Sequence, residues 1–146
     1  MNPTAKKFGH PKACLAEWPH WLVLLRPAQV TLGSLVLVCR DPVQRFGAIS
    51  PAAAAELREV VAAIEAALGD LLGFDKINYL MLMMVDPDVH FHVFPRYASP
   101  RSYAGAEFTD ALWPGPPDVT KGQPLPEAVA GRLAADLRQA IAARRG

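Results

Sequence analysis

Residues 86–97 read Asp-Pro-Asp-Val-His-Phe-His-Val-Phe-Pro-Arg-Tyr, or DPDVHFHVFPRY. Polar and apolar residues alternate strictly: Asp88, His90 and His92 fall on one side, and Val89, Phe91 and Val93 on the other. An extended chain sends successive side chains to opposite faces, so this is a strand with an apolar face and an ionisable one. A pair of imidazoles and a carboxylate on one strand face narrows both fold and chemistry.

The surrounding chain supplies the other elements. In SPAAAAELREVVAAIEAALGDLLGF (50–74), Ser50 suits the N-cap, Pro51 the first helical position and Gly73 the C-terminal cap. Leu57, Val60, Val61, Ile64, Leu68 and Leu71 recur at spacings of three and four, and Glu56, Arg58 and Glu59 lie off that stripe. A second helix is predicted over roughly 126–144, with Val129, Leu133, Leu137 and Ile141 in register. Glu127 near its start and Arg144 and Arg145 near its end suit the helix dipole. Strands are predicted at 20–25, 34–39, 77–84 and 89–94. The last two are separated by little more than Asp86-Pro87, which implies an antiparallel hairpin. The methionines of LMLMMV (80–85) read as core filler. Residues 98–124 are rich in proline and glycine and lack periodicity, so they read as a long loop. The result is an α+β fold: one domain over 1–146, its core at 20–97 and a C-terminal helix at 125–146. An antiparallel sheet of about five strands carries one long packing helix.

Composition excludes several classes. The chain has 146 residues, 51% hydrophobic, and its 15 Lys and Arg nearly balance 14 Asp and Glu, so no nucleic-acid or membrane partner is expected. MNPTAKKFGH has no apolar signal region, and Arg26 interrupts LVLLRPAQVTLGSLVLV (22–38) before it spans a bilayer. Cys14 and Cys39 provide neither a disulfide framework nor zinc-finger spacing. A cytoplasmic location is the expectation.

Three readings of His90 and His92 stand side by side. They are structural strand histidines, although unsatisfied imidazoles among apolar neighbours are costly. Alternatively, with Asp88, they hold a metal ion for a metal-dependent enzyme, although the other histidines, His10 and His20, are remote in sequence. Or they perform covalent catalysis: a neutral imidazole attacks phosphorus, provided its other ring nitrogen is fixed by a hydrogen bond.

DVHFHVFPR (88–96) resembles the signature of the histidine-triad family, in which His-x-His-x-His with apolar residues between precedes Pro-Arg. WLVLLRPAQVTLGSLVLVCRDPVQRFGAISPAAAAEL (21–57) resembles the family's strand, glycine turn, strand and capped helix. EFTDALWPGPPD (107–118) is loosely similar to a bacterial subgroup. The resemblance implies a homodimeric, nucleotide-binding α+β domain that cleaves nucleoside phosphate derivatives through a nucleotidyl-histidine, with no cofactor and no metal at that histidine. By position, His90 is the nucleophile and His92 contacts the phosphate. Asp88 stands where the first triad histidine is expected, Ser34 follows the turn glycine in place of a histidine, and Arg26 replaces a ribose-binding acid or amide. The usual glycine-rich, glutamine-containing loop before the triad is replaced by MMVDPD (83–88). With the nucleophile kept and several nucleotide contacts changed, a non-catalytic nucleotide-binding protein on the same fold is the alternative.

Asn78 and Arg96 are further phosphate-binding candidates, and each has an ordinary structural alternative. Trp21 and Trp113 are weaker candidates for covering a base, and Gln29 and Thr31 lie near the turn. Because Pro87 precedes it, Asp88 is expected at the turn with its carboxylate facing solvent rather than Ser34.

Overall fold

The register of the histidine strand organises the molecule. The computed structural model describes residues 2–145. Its main sheet contains β1 (Cys14–Glu17), β2 (Trp21–Leu25), β4 (Leu35–Cys39), β5 (Lys76–Leu80) and β6 (His90–Arg96). Their spatial order is β1-β2-β4-β6-β5, with every neighbouring pair antiparallel. Two short strands, β3 (Ala28–Gln29) and β9 (Gln123–Pro124), pair with each other, and β7 (Arg101–Tyr103) pairs with β8 (Ala106–Phe108). The helices are α1 (Pro3–Lys7), α2 (Pro51–Leu72) and α3 (Glu127–Arg145).

Alternation along the strands divides the sheet into two unlike faces. Trp21, Val23, Leu25, Leu35, Leu37, Cys39 and Val93 join the main core with Val60, Ile64 and Leu68 of α2 and with Leu133, Leu137 and Ile141 of α3. Burying each such side chain contributes roughly 1.5–3 kcal/mol. The opposite face carries Leu22, Leu24, Val36 and Val38, packed against Ala5 and Phe8 of the N-terminal segment and against Cys14. His90 lies opposite Val38 and His92 opposite Val36, so both imidazoles belong to this second face.

The local signals act as expected at α2. Ser50 Oγ accepts from the Ala53 amide at 3.0 Å, Pro51 opens the helix, and Gly73 closes it with φ +62°. Gly33, between β3 and β4, has φ +86°, and a Cβ there would lie 2.8 Å from Leu72 Cδ1. The turn therefore needs glycine for conformation and for room.

Several boundaries differ from the sequence reading. Strand β5 ends at Leu80, and residues 81–89 form a long connection instead of a tight hairpin turn. Leu80 is the last β5 residue to pair, opposite His92, and Met83 has φ +51°, which breaks the extended run. Met84 is consequently 88% exposed, and Met81 and Met83 are half-buried, so these methionines are not all core filler. The 98–124 segment contains β7, β8 and β9 instead of being loop throughout. Helix α1 and β1 were not anticipated. Asn2 caps α1 by accepting from Ala5 N at 3.0 Å, and Pro3 opens it, the same signals that mark α2.

Candidate functional site

His90 is fixed by its own strand entry. Its Nδ1 lies 2.7 Å from the carbonyl oxygen of Asp88. A carbonyl only accepts, so Nδ1 carries a proton, and the lone pair of the neutral ring is on Nε2. His92, two residues on, shares the face with its ring centroid 5.1 Å from that of His90, at an interplanar angle of 82°. Its pKa is pulled down to about 4 by burial first, then by His90, Arg26 and Lys7, with Asp86 opposing. His92 is therefore neutral at pH 7.

The N-terminal segment covers both rings. Phe8 lies 6.0 Å from the His90 centroid and 5.6 Å from that of His92, leaving the two residues only 2% and 7% exposed. Asp88 holds this cover. Its Oδ2 accepts from Thr4 Oγ1 at 2.9 Å and from Thr4 N at 3.3 Å. The carboxylate therefore faces neither solvent nor Ser34, because the helical turn packed over it offers two donors. Lys7 adds an ion pair to Asp86 at 2.9 Å, and Asn2 Nδ2 donates to Cys39 O at 3.1 Å. Sequence reasoning missed Thr4, Lys7 and Phe8. The Asn2-Pro3 cap marks their helix, but nothing local says which surface that helix covers.

The remaining candidates fall into three environments. Arg26 lies near the histidines, its guanidinium 5.6 Å from the Phe94 ring, and Phe94 stacks on His92 at 6.1 Å. Burial lowers the Arg26 pKa, two of its nitrogens donate to Ala28 O and Val119 O, and its Nε has no partner. Arg26 and Gln29 border a cleft of about 650 Å³ walled by Leu25, Pro27, Leu125 and Ala134. Ser34 is fully buried in the glycine turn. Its Oγ donates to Thr31 O at 2.7 Å and accepts from Thr31 N at 3.0 Å, so it has no free face for a phosphate. Gln29 staples the same turn by accepting from the amides of Gly33 and Ser34.

Arg96 and Asn78 sit at the far end of β6. Arg96 forms a two-pronged buried pair with Asp110 at 2.7 and 3.1 Å and also donates to Gly115 O and Asn78 Oδ1. That network holds the 110–115 loop and engages the Arg96 guanidinium and Asn78 Oδ1. Trp113 lines an open groove beside Asn78 and Arg96. Trp21 is fully buried on the helix side, donating to Ala53 O at 2.8 Å, and is remote from the histidine face.

Solved structures share this architecture. A histidine triad protein from Marinobacter aquaeolei VT8 is 22% identical, with a TM-score of 0.74 over 98% of each chain. One from Sinorhizobium meliloti 1021 is also 22% identical, with a TM-score of 0.73 over 95% of this chain and 94% of that one. A hypothetical histidine triad nucleotide-binding protein from Sulfolobus tokodaii strain7 is 16% identical, with a TM-score of 0.67 over 90% and 84%. No family model and no curated protein matches the chain. The chain has the histidine-triad fold. Among the described residues, no helix is long and apolar enough to cross a membrane.

Proposed function

We propose that the protein is a histidine-triad enzyme, a hydrolase or nucleotidyl transferase acting on a nucleoside phosphate derivative. The observation that carries this reading is the 2.7 Å bond from His90 Nδ1 to Asp88 O, which places the lone pair of the neutral imidazole on Nε2 and holds the ring on a rigid strand. Nε2 attacks the α-phosphorus, forming an N–P bond as the bond to the leaving oxygen breaks. Water or another acceptor then attacks the phosphoramidate and returns the lone pair to Nε2. His92, neutral and on the same face, contacts the phosphate, and Arg26 stands nearby as a cation. With His90 only 2% exposed beneath Phe8, attack on a substrate requires Phe8 and α1 to move aside.

The 2% exposure of His90 under that segment favours a second reading, a nucleotide-binding module without turnover. The metal-dependent reading has less support, because Thr4 occupies Asp88 Oδ2 and Asp88, His90 and His92 do not bring ligand atoms within 4.8 Å of one another. One experiment separates these readings. Trapping with a slow acceptor should add one nucleotide mass to the peptide bearing His90, and His90→Gly should abolish both label and turnover. Nucleotide binding with no label in the wild-type protein would support the non-catalytic module. Near-normal turnover in His90→Gly would refute covalent catalysis.

A homodimer accompanies this reading. β5 is an edge strand with one side unpaired in the sheet, and the connection that follows it exposes Met84 and Val85 at 88% and 82%. A two-fold partner pairing such an edge would cover both.

A further inference from the structure

We infer that His10, Cys14 and Glu17 form a binding site for a divalent transition-metal ion of the zinc type, separate from the histidine pair. One ligand atom from each residue lies within 4.8 Å of the others. Tetrahedral zinc, with bonds of 2.0–2.3 Å, holds neighbouring ligands roughly 3.3–3.8 Å apart, so closure requires movement of about 1 Å. Imidazole, thiolate and carboxylate together suit zinc or cobalt better than a hard cation such as magnesium. The lack of a cysteine pair at zinc spacing says nothing against a mixed set of this kind.

Three further observations point to a ligand. In a regular strand, residues three apart point to opposite faces, which would separate Cys14 from Glu17. The β1–β2 register shifts between Cys14 and Ala16, so Cys14 lies opposite Leu24 and Glu17 opposite Leu22, two residues of one face. This bulge re-aims the two ligands to the same side, a common use of bulges.

The His10 side chain, only 8% exposed, lacks a firm partner. One ring nitrogen meets Glu17 Oε1 at 3.4 Å, beyond a good hydrogen bond, and the other has none. A buried imidazole in that condition has capacity to bind an ion.

The turn carrying His10 and Cys14 is also held from outside. Arg138 of α3 donates to Lys12 O at 2.9 Å and to Cys14 O at 3.0 Å, and the Ala13 amide donates to Gly9 O at 2.8 Å. His10 and Glu17 open onto a cleft of about 480 Å³, which leaves room for water as a fourth ligand. Arg40 lines that cleft as well, its guanidinium donating to Trp18 O. Because His10 follows Phe8 by two residues, an ion here ties the cover of the catalytic histidines to the edge of the sheet.

The test is an anaerobic titration of the metal-stripped protein with cobalt(II), followed by zinc competition. One equivalent should produce a thiolate-to-cobalt charge-transfer band and the visible bands of four-coordinate cobalt, both removed by zinc. Cys14→Ser should lose the charge-transfer band. His10→Gln and Glu17→Gln should each weaken binding by roughly tenfold or more. Glu17, with its side chain half exposed, provides a variant expected to fold whatever Cys14→Ser does. His90→Gly should keep the full spectrum. Absence of a thiolate band at one equivalent would overturn the assignment. So would binding that survives Glu17→Gln and Cys14→Ser but is lost in His90→Gly.

Discussion

Replacing Asp88 by alanine isolates the hold that keeps the N-terminal segment over the histidines. Asp88 is 9% exposed, and its Oδ2 accepts from the Thr4 hydroxyl at 2.9 Å and, more weakly, from the Thr4 amide at 3.3 Å. Hydrogen bonds to a charged group contribute about 1.5–3 kcal/mol. With the second one long, the pair amounts to roughly 2–3 kcal/mol. What remains is the half-exposed Lys7–Asp86 pair, which contributes about 1 kcal/mol at most, the Asn2–Cys39 bond and the burial of Phe8. At about 1.4 kcal/mol per factor of ten, the open population should rise roughly thirty- to hundredfold. Tryptic cleavage after Lys6 or Lys7 reads that population when opening and closing outpace the protease. Exchange of the Phe8 and His10 amides, bonded to Thr4 O and Ala5 O, provides a second readout at the same segment. Asp88→Asn keeps an acceptor oxygen and should show a smaller rise. It should also change catalytic turnover by less than about tenfold, because the carboxylate faces Thr4 and the carbonyl that holds His90 belongs to the backbone. If Asp88→Ala left cleavage and exchange at residues 4–10 within about threefold of wild type while lowering global stability, Asp88 would be securing the sheet and not the cover.

Four further outcomes follow from named contacts. His92 is held neutral, with a folded pKa near 4 against 6.5 in the unfolded chain, so the unfolded state takes up the proton first as pH falls. Its contribution is intact above pH 6.5 and is lost between 6.5 and 4. The ceiling is roughly 3 kcal/mol, about half of that after screening, and urea melts at pH 7.5 and 4.5 should show wild type losing more stability than His92→Gln. Asp110→Ala strips the main partner from the buried Arg96 guanidinium and should cost about 3–5 kcal/mol by chemical denaturation; a loss under about 1 kcal/mol would show that Gly115 O and Asn78 suffice. Gly33→Ala places a methyl 2.8 Å from Leu72 Cδ1 at φ +86° and should destabilise by roughly 1–3 kcal/mol, measurable as a lowered melting temperature. Light scattering should give twice the 15.8 kDa chain mass, and a clean monomer across dilution would remove the edge-strand argument for a dimer.

Local chemistry written in consecutive residues determined much of this protein. The alternation at 88–94 places both imidazoles on one face, because side-chain direction in a strand is set by backbone geometry alone. Ser50, Pro51 and Gly73 bound α2 for an equally local reason, since a cap bonds within its own turn. The tertiary structure decided what surrounds those imidazoles. Thr4 meets Asp88 across 84 residues, and Phe8 lands on His90 and His92, contacts chosen by which surfaces exclude water together. In the sequence Arg96 could equally bind a phosphate or hold the loop after its strand, and Asp110, fourteen residues away, engages it in the second way. Cys14 and Glu17, three residues apart, would face opposite ways in a regular strand, and only the register against β2 turns them to one side. A bulge belongs to the pairing of two strands, so neither strand's residues announce it alone.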